Sequence, residues 1–190
     1  MLPSAELPPP VRGGPEHLRG VHTRSGNAMN RTRAGLLAGA ARAFAEHGLR
    51  RSTMQSIAAA AGVAKATLYN HIRTKDEVAA ALLAVELDRL SALAASLPRD
   101  QALGALADEL GAHPVLRRLA ATEPEALTSL LAVDGERWTE LTTRLGAALR
   151  LDGDGDGAEL AGRWLLGVVL QPGRSTTRHR LAGRLAAVLA

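Results

Sequence analysis

Six residues between positions 65 and 75 bring several kinds of hydrogen-bonding side chain together on one short segment: Lys65, Thr67, Tyr69, Asn70, His71 and Lys75. The two lysines are the only ones among 190 residues, since the other basic residues are arginines, and Tyr69 is the only tyrosine. Ammonium, hydroxyl, amide and imidazole donors on one short segment suit a polyanion: charge and N–H groups for phosphates, amide and ammonium groups for base edges. Charge distribution points the same way. Residues 1–83 hold 11 Lys+Arg against 5 Asp+Glu, whereas residues 84–190 hold 12 against 14. A basic first part joined to a mildly acidic remainder implies that the first part alone meets nucleic acid.

Other chemistries find little support. The chain has no cysteine, which removes disulfides, thiolate metal sites and a cysteine nucleophile. The six histidines, His17, His22, His47, His71, His113 and His179, never fall at a metal-ligand spacing within one predicted helix. The run from Asp152 to Gly157, "DGDGDG", opens like a calcium loop, but its eighth position is Glu159 and its twelfth is Arg163, where a bidentate Glu is needed. It reads as a flexible link in which Asp156, paired with Glu159, caps the following helix. Asp108 and Glu109 read as a solvated helix face. No phosphate loop, nucleophile elbow or kinase signature is present. The expectation is a non-enzyme with no metal and no cofactor.

The elements that position the six residues follow from periodicity. Ala, Leu, Arg and Glu dominate and aromatic residues are scarce, so an all-α fold is expected. Residues 1–30, rich in Pro and Gly, read as a disordered arm whose Arg12, Arg19 and Arg24 could touch phosphates. They contain no signal-peptide core, and no stretch reaches membrane-span length. A soluble, cytoplasmic protein without membrane contact is expected. From Arg31 an apolar face of Leu36, Leu37, Ala40, Ala41, Phe44 and Ala45 predicts a first helix ended by Gly48. Thr53 caps a second helix that Gly62 ends, and a third runs from Lys65 to about Ile72. Thr74 and Glu77 form a capping-box pattern at the start of a fourth, which runs to about Ser96. Further caps are expected at Asp100, at His113 before Pro114, at Thr122 with Glu125, and at Asp134.

Two short helices joined at a glycine make a helix-turn-helix. With Gly62 at the turn, Ala58 lies where the helices cross and Ile57, Ala61, Val63 and Leu68 are buried. Lys65, Ala66, Thr67, Tyr69, Asn70 and His71 then lie on the exposed face. The segment "STMQSIAAAAGVAKATLYNHIRTKDEVAAALL" resembles the DNA-binding domain of the tetracycline-repressor (TetR) family, over Arg31 to about Leu83. The resemblance implies that Tyr69 and Lys75 grip phosphates, that Thr67 and His71 meet backbone or base edges, and that Lys65, Ala66, Asn70 and Gln55 read sequence. Thr53, the cap of the second helix, is counted with them. Ala64, Ala66 and Ile72 depart from the family's usual serine, glycine and phenylalanine.

The same resemblance implies a dimerising, ligand-binding helical body over residues 84–190, following a head over 31–83. Leu103, Leu106, Leu116, Leu130 and Trp138 are candidate pocket residues. Residues 134–151 and 157–171 are the expected dimer surface, with Trp164, Leu165 and Val168 within it. The partners implied are duplex DNA, a second copy of the chain and a small-molecule effector. The function implied is a one-component transcriptional regulator, a repressor released from a palindromic operator. The alternatives are a DNA-binding or architectural dimer without ligand control, and a helical enzyme or partner-binding module that merely contains such a hairpin.

Overall fold

The computed structural model describes the backbone of residues 19–189 except 152 and 154, and the side chains of residues 31–189 except those two. The chain divides into two compact units, residues 1–34 and residues 35–190. Ten helices and no strand occur among the described residues: α1 Arg19–Arg51, α2 Met54–Ala61, α3 Lys65–His71, α4 Lys75–Ser96, α5 Arg99–Ala112, α6 Pro114–Thr122, α7 Pro124–Leu131, α8 Gly135–Leu149, α9 Gly155–Leu170 and α10 Ser175–Val188. The all-α expectation holds. Among the described residues no helix is long and apolar enough to cross a membrane.

The expected disordered arm needs correction over residues 19–30, where α1 is already helical. Arg12 lies outside the described residues, as do the side chains of Arg19 and Arg24. At its other end α1 breaks at Gly48, whose φ of 78° and ψ of 178° lie in a region that residues with a Cβ almost never adopt.

The larger unit is built on two apolar clusters. The first gathers Leu36, Leu37, Phe44, Ile57, Leu68, Ile72 and Val78 from α1 to α4, and extends to Val115 and Leu119 of α6, Leu127 of α7 and Val169 of α9. The second joins α5, α8, α9 and α10 through Leu103, Leu106, Leu149, Leu165, Val168 and Ala182. Two arginines tie the far end of this body together. Arg99 donates to the carbonyls of Leu149 (3.1 Å), Leu189 (2.9 Å) and Arg150 (2.5 Å). Arg150 donates to those of Leu97 (3.0 Å) and Ala95 (2.6 Å). Each thereby satisfies helix-terminal carbonyls that have no partner within their own helix.

Candidate nucleic-acid interface and the cavity behind it

The turn between α2 and α3 follows from local chemistry. Thr53 accepts from the Ser56 N–H (3.1 Å) and Ser56 Oγ accepts from the Thr53 N–H (2.9 Å), a reciprocal capping box that starts α2. Gly62, at φ 70° and ψ 28°, ends α2 in the left-handed conformation that glycine adopts without strain, its N–H directed at Ala58 and Ala59. Ile57, Ala58 and Leu68 are buried as expected, while Ala61 and Val63 are only half-buried. A Cβ on Gly39 would lie 2.5 Å from Ala61, so α1 and α2 cross at a glycine.

With Leu68 and Ile72 inward, α3 exposes Lys65, Ala66, Tyr69 and Asn70, and half-exposes Thr67 and His71. Lys65 Nζ lies 5.6 Å from the centroid of the Tyr69 ring, one turn along the helix. That cation–π contact holds the ammonium against the outer face. Gln55 and Thr53 are exposed at the front of α2. The α3 cap at Ala64 has no side-chain hydrogen bond, in line with the missing serine.

Lys75 is placed differently from the sequence reading. Its Nζ donates to the carbonyls of Leu49 (2.7 Å) and Arg50 (3.4 Å), so it caps the end of α1 while starting α4. On the other side of the same corner, both carboxylate oxygens of buried Glu123 accept from the Arg50 N–H, at 3.0 and 3.2 Å. Sequence reasoning misses this contact, because the Thr122–Glu125 spacing points to Thr122 as the cap and leaves Glu123 without a role. Pro124 opens α7 with Glu123 before it, and Thr122 Oγ1 instead donates to the Arg118 carbonyl. Other caps also moved. Pro98, not Asp100, precedes α5. Thr74 caps α4 as expected, accepting from the Glu77 N–H (3.1 Å), but the Glu77 carboxylate accepts from the Arg73 N–H (3.0 Å) and not from that of Thr74. Asp156 lies within the first turn of α9, and Glu159 accepts from Trp138 Nε1 and Arg163 rather than completing a cap. Asp152 and Asp154 lie outside the described residues. Among the described residues no three metal-ligating side chains cluster.

Behind the head lies a cavity of about 270 Å³, lined by α4 through α9 with Phe44 and Leu49 of α1. Leu106, Leu116, Leu130 and Trp138 all line it, as proposed from sequence. Leu103 does not; it is wholly buried in the second cluster and faces other core side chains. Gly162 leaves room for the indole, since a Cβ there would lie 3.1 Å from the Trp138 ring.

Two residues of the expected dimer surface turn inward. Leu165 and Val168 are buried within their own chain at 7% and 5% exposure, and Leu165 lines the cavity. Trp164 packs half-buried against the second cluster. On α8, Trp138, Leu141 and Leu145 face the cavity too. The large apolar residues that α9 and α10 expose are Leu160 and Leu170, within the expected stretch 157–171, and Leu181 and Val188.

Asp108, read as a solvated face, organises the docking of α10 on α5. It accepts from Ser175 (2.9 Å), from Arg178 (2.8 and 3.2 Å) and from His179 (2.5 Å). Burial opposes its charge, but these donors outweigh burial and hold its carboxyl below the usual carboxylate range.

Two helices crossing at a tight turn, with a polar lysine-bearing face on the second, define a helix-turn-helix protein. Residues 36–82, the head with the start of α4, match the family described as bacterial regulatory proteins, tetR family. The chain is 31% identical over 114 residues to the HTH-type transcriptional repressor Rv1474c of Mycobacterium tuberculosis. That alignment covers 60% of this chain, which spans only 59% of the relative's length. Salmonella enterica GusR has a TM-score of 0.60 at 19% identity, covering 84% of this chain and 93% of its own. A structure from Mesorhizobium loti, described as a TetR-family regulator, has a TM-score of 0.58 at 18% identity, covering 84% of this chain and 95% of its own. At that identity the two structures establish the fold alone.

Proposed function

We propose that the chain is a DNA-binding transcriptional repressor that works as a homodimer and leaves its operator when a small molecule fills the cavity. The observation that carries the DNA-binding part is the outer face of α3. Lys65, Tyr69 and Asn70 are exposed, and Thr67 and His71 half-exposed, on a helix that Leu68 and Ile72 anchor. Lys65 and Asn70 suit base edges, and Tyr69 suits phosphates. Gln55 and Thr53 add contacts from α2, and Ala66 leaves space for close approach. Lys75 acts chiefly by fixing the corner after α1, with one ammonium hydrogen left for a phosphate.

A dimer is supported by the exposed leucines and valine of α9 and α10, which leave apolar surface in water on a single chain. Two-fold pairing would set two α3 helices against successive major grooves, roughly 34–36 Å apart. Head and body share one apolar cluster, which gives the cavity a physical route to the head. Selection of bound sites from random duplex DNA tests the reading. A palindromic site with a strong salt dependence is expected; absence of sequence preference favours a non-regulatory binder.

A further inference from the structure

His113 gives the cavity a chemical preference. It is the N-cap of α6, and its Nδ1 accepts from the Leu116 N–H at 3.4 Å. A ring nitrogen that accepts carries no proton, so the neutral ring bears its proton on Nε2 as a donor. His113 and Glu86 line the cavity and also an adjoining surface cleft, so they stand where the cavity meets the outside.

The charges near this end are already matched. Arg89 of α4 bonds Glu86 at 2.9 Å and Glu109 of α5 at 2.7 Å. Arg144, the cation of the lining, bonds Asp88 at 3.1 Å. Each charged lining side chain thus already faces a partner of opposite sign, and the rest of the wall is dominated by leucine, where an unpaired ion is strongly disfavoured. Burial lowers the His113 pKa, with Arg89 acting in the same direction and Glu86 and Glu109 opposing, which keeps the ring a neutral donor near pH 7.

We infer that the cavity takes an electrically neutral ligand: an apolar body with one carbonyl or hydroxyl oxygen that accepts from His113 Nε2–H. At interior packing density the volume holds on the order of ten to twelve non-hydrogen atoms. The inference rests on reading the cavity as the effector site.

Calorimetric titration of the full-length protein with four matched probes tests it: benzylacetone, butylbenzene, 4-phenylbutanoate and 4-phenylbutylammonium. Benzylacetone should bind about fivefold tighter than butylbenzene, the worth of one net hydrogen bond. It should bind at least tenfold tighter than either ion. His113→Asp keeps a helix cap but removes the donor, and should erase the preference for benzylacetone over butylbenzene. The ranking of probes on the unaltered protein decides the matter even if that variant folds poorly. Equal binding of benzylacetone and butylbenzene overturns the donor role. Tightest binding of either ion, or no binding by any probe, overturns the ligand class. A separate arm measures release of the selected duplex: benzylacetone that binds without releasing DNA upholds the class and refutes effector control.

Discussion

Replacing Gly48 by alanine tests how body and head are joined. Its φ of 78° and ψ of 178° are nearly exclusive to glycine, so the backbone strain of alanine there is about 1–3 kcal/mol. A methyl on Gly48 would also collide with Glu123 Oε1. Glu123 must then withdraw, leaving the Arg50 N–H without its two carboxylate acceptors. A lost hydrogen bond to a charged group costs about 1.5–3 kcal/mol. Gly48→Ala should therefore destabilise by about 2.5–6 kcal/mol.

Glu123→Ala should cost about 1.5–3 kcal/mol alone, because it removes the same bond without the strain. In the double variant that bond is lost only once. Its destabilisation should fall short of the sum of the two single effects by about 1.5–3 kcal/mol. Glu123→Gln, which keeps an acceptor oxygen, should cost less than Glu123→Ala. Urea unfolding of the four proteins at equal protein concentration measures the cycle. Additivity within about 0.5 kcal/mol would refute the reasoning, since it would mean that alanine at position 48 leaves the Glu123–Arg50 contact in place.

Lys65→Ala should lower operator affinity by about 1–3 kcal/mol per half-site and relax preference at one base pair, read by binding to single-base variants of the selected site. Lys75→Ala should instead lower thermal stability, through loss of the Leu49 and Arg50 carbonyl contacts, and weaken all duplexes alike. Leu170→Glu on the exposed face of α9 should shift sedimentation toward monomer, whereas a variant still dimeric at micromolar concentration places the interface elsewhere. Because burial holds the His113 pKa below its usual 6.5, the unfolded chain binds that proton first. That contribution to stability should be full above about pH 6.5 and decline as pH falls toward the folded value. His113→Asn, which keeps a cap, should remove this part of the pH dependence.

The head was legible because its signals are local. A cap, a turn glycine and apolar residues one helical turn apart fix α2 and α3 within a few residues of each other, and Thr53, Gly62 and Leu68 stand where the pattern put them. The pocket was legible to the extent that apolar periodicity separates inside from outside. It could not separate a cavity wall from solid core, which is why Leu103 was grouped with Leu106. The contacts that went unseen join residues far apart in the chain: Arg50 with Glu123, Arg99 with Leu189, Asp108 with Arg178. A carboxylate on a helix face looks the same in sequence whether water or an arginine 70 residues away covers it. The same blindness hid which face of α9 its own chain buries. A helix apolar nearly all round must bury more than one side, and periodicity does not say which side its own chain takes.

The cavity adjoins the head through shared apolar walls, Phe44 and Leu49 among them, and two polar contacts stand at the same corner. Leu116 and Leu119 of α6 and Leu130 and Leu131 of α7 line the cavity, and Glu123 is the residue between those helices. On the other wall, Leu82, Glu86 and Leu90 line the cavity from α4, whose first residue is Lys75. Both routes end on Leu49 and Arg50, where Lys75 holds carbonyls and Glu123 holds an N–H. A ligand can move the head only by interacting differently with two arrangements of these walls. Couplings between effector and second ligand commonly amount to about 1–3 kcal/mol, the size of one charged hydrogen bond. Under the proposed ligand control, a Glu123 contact made in only one of the two arrangements would supply a coupling of that size.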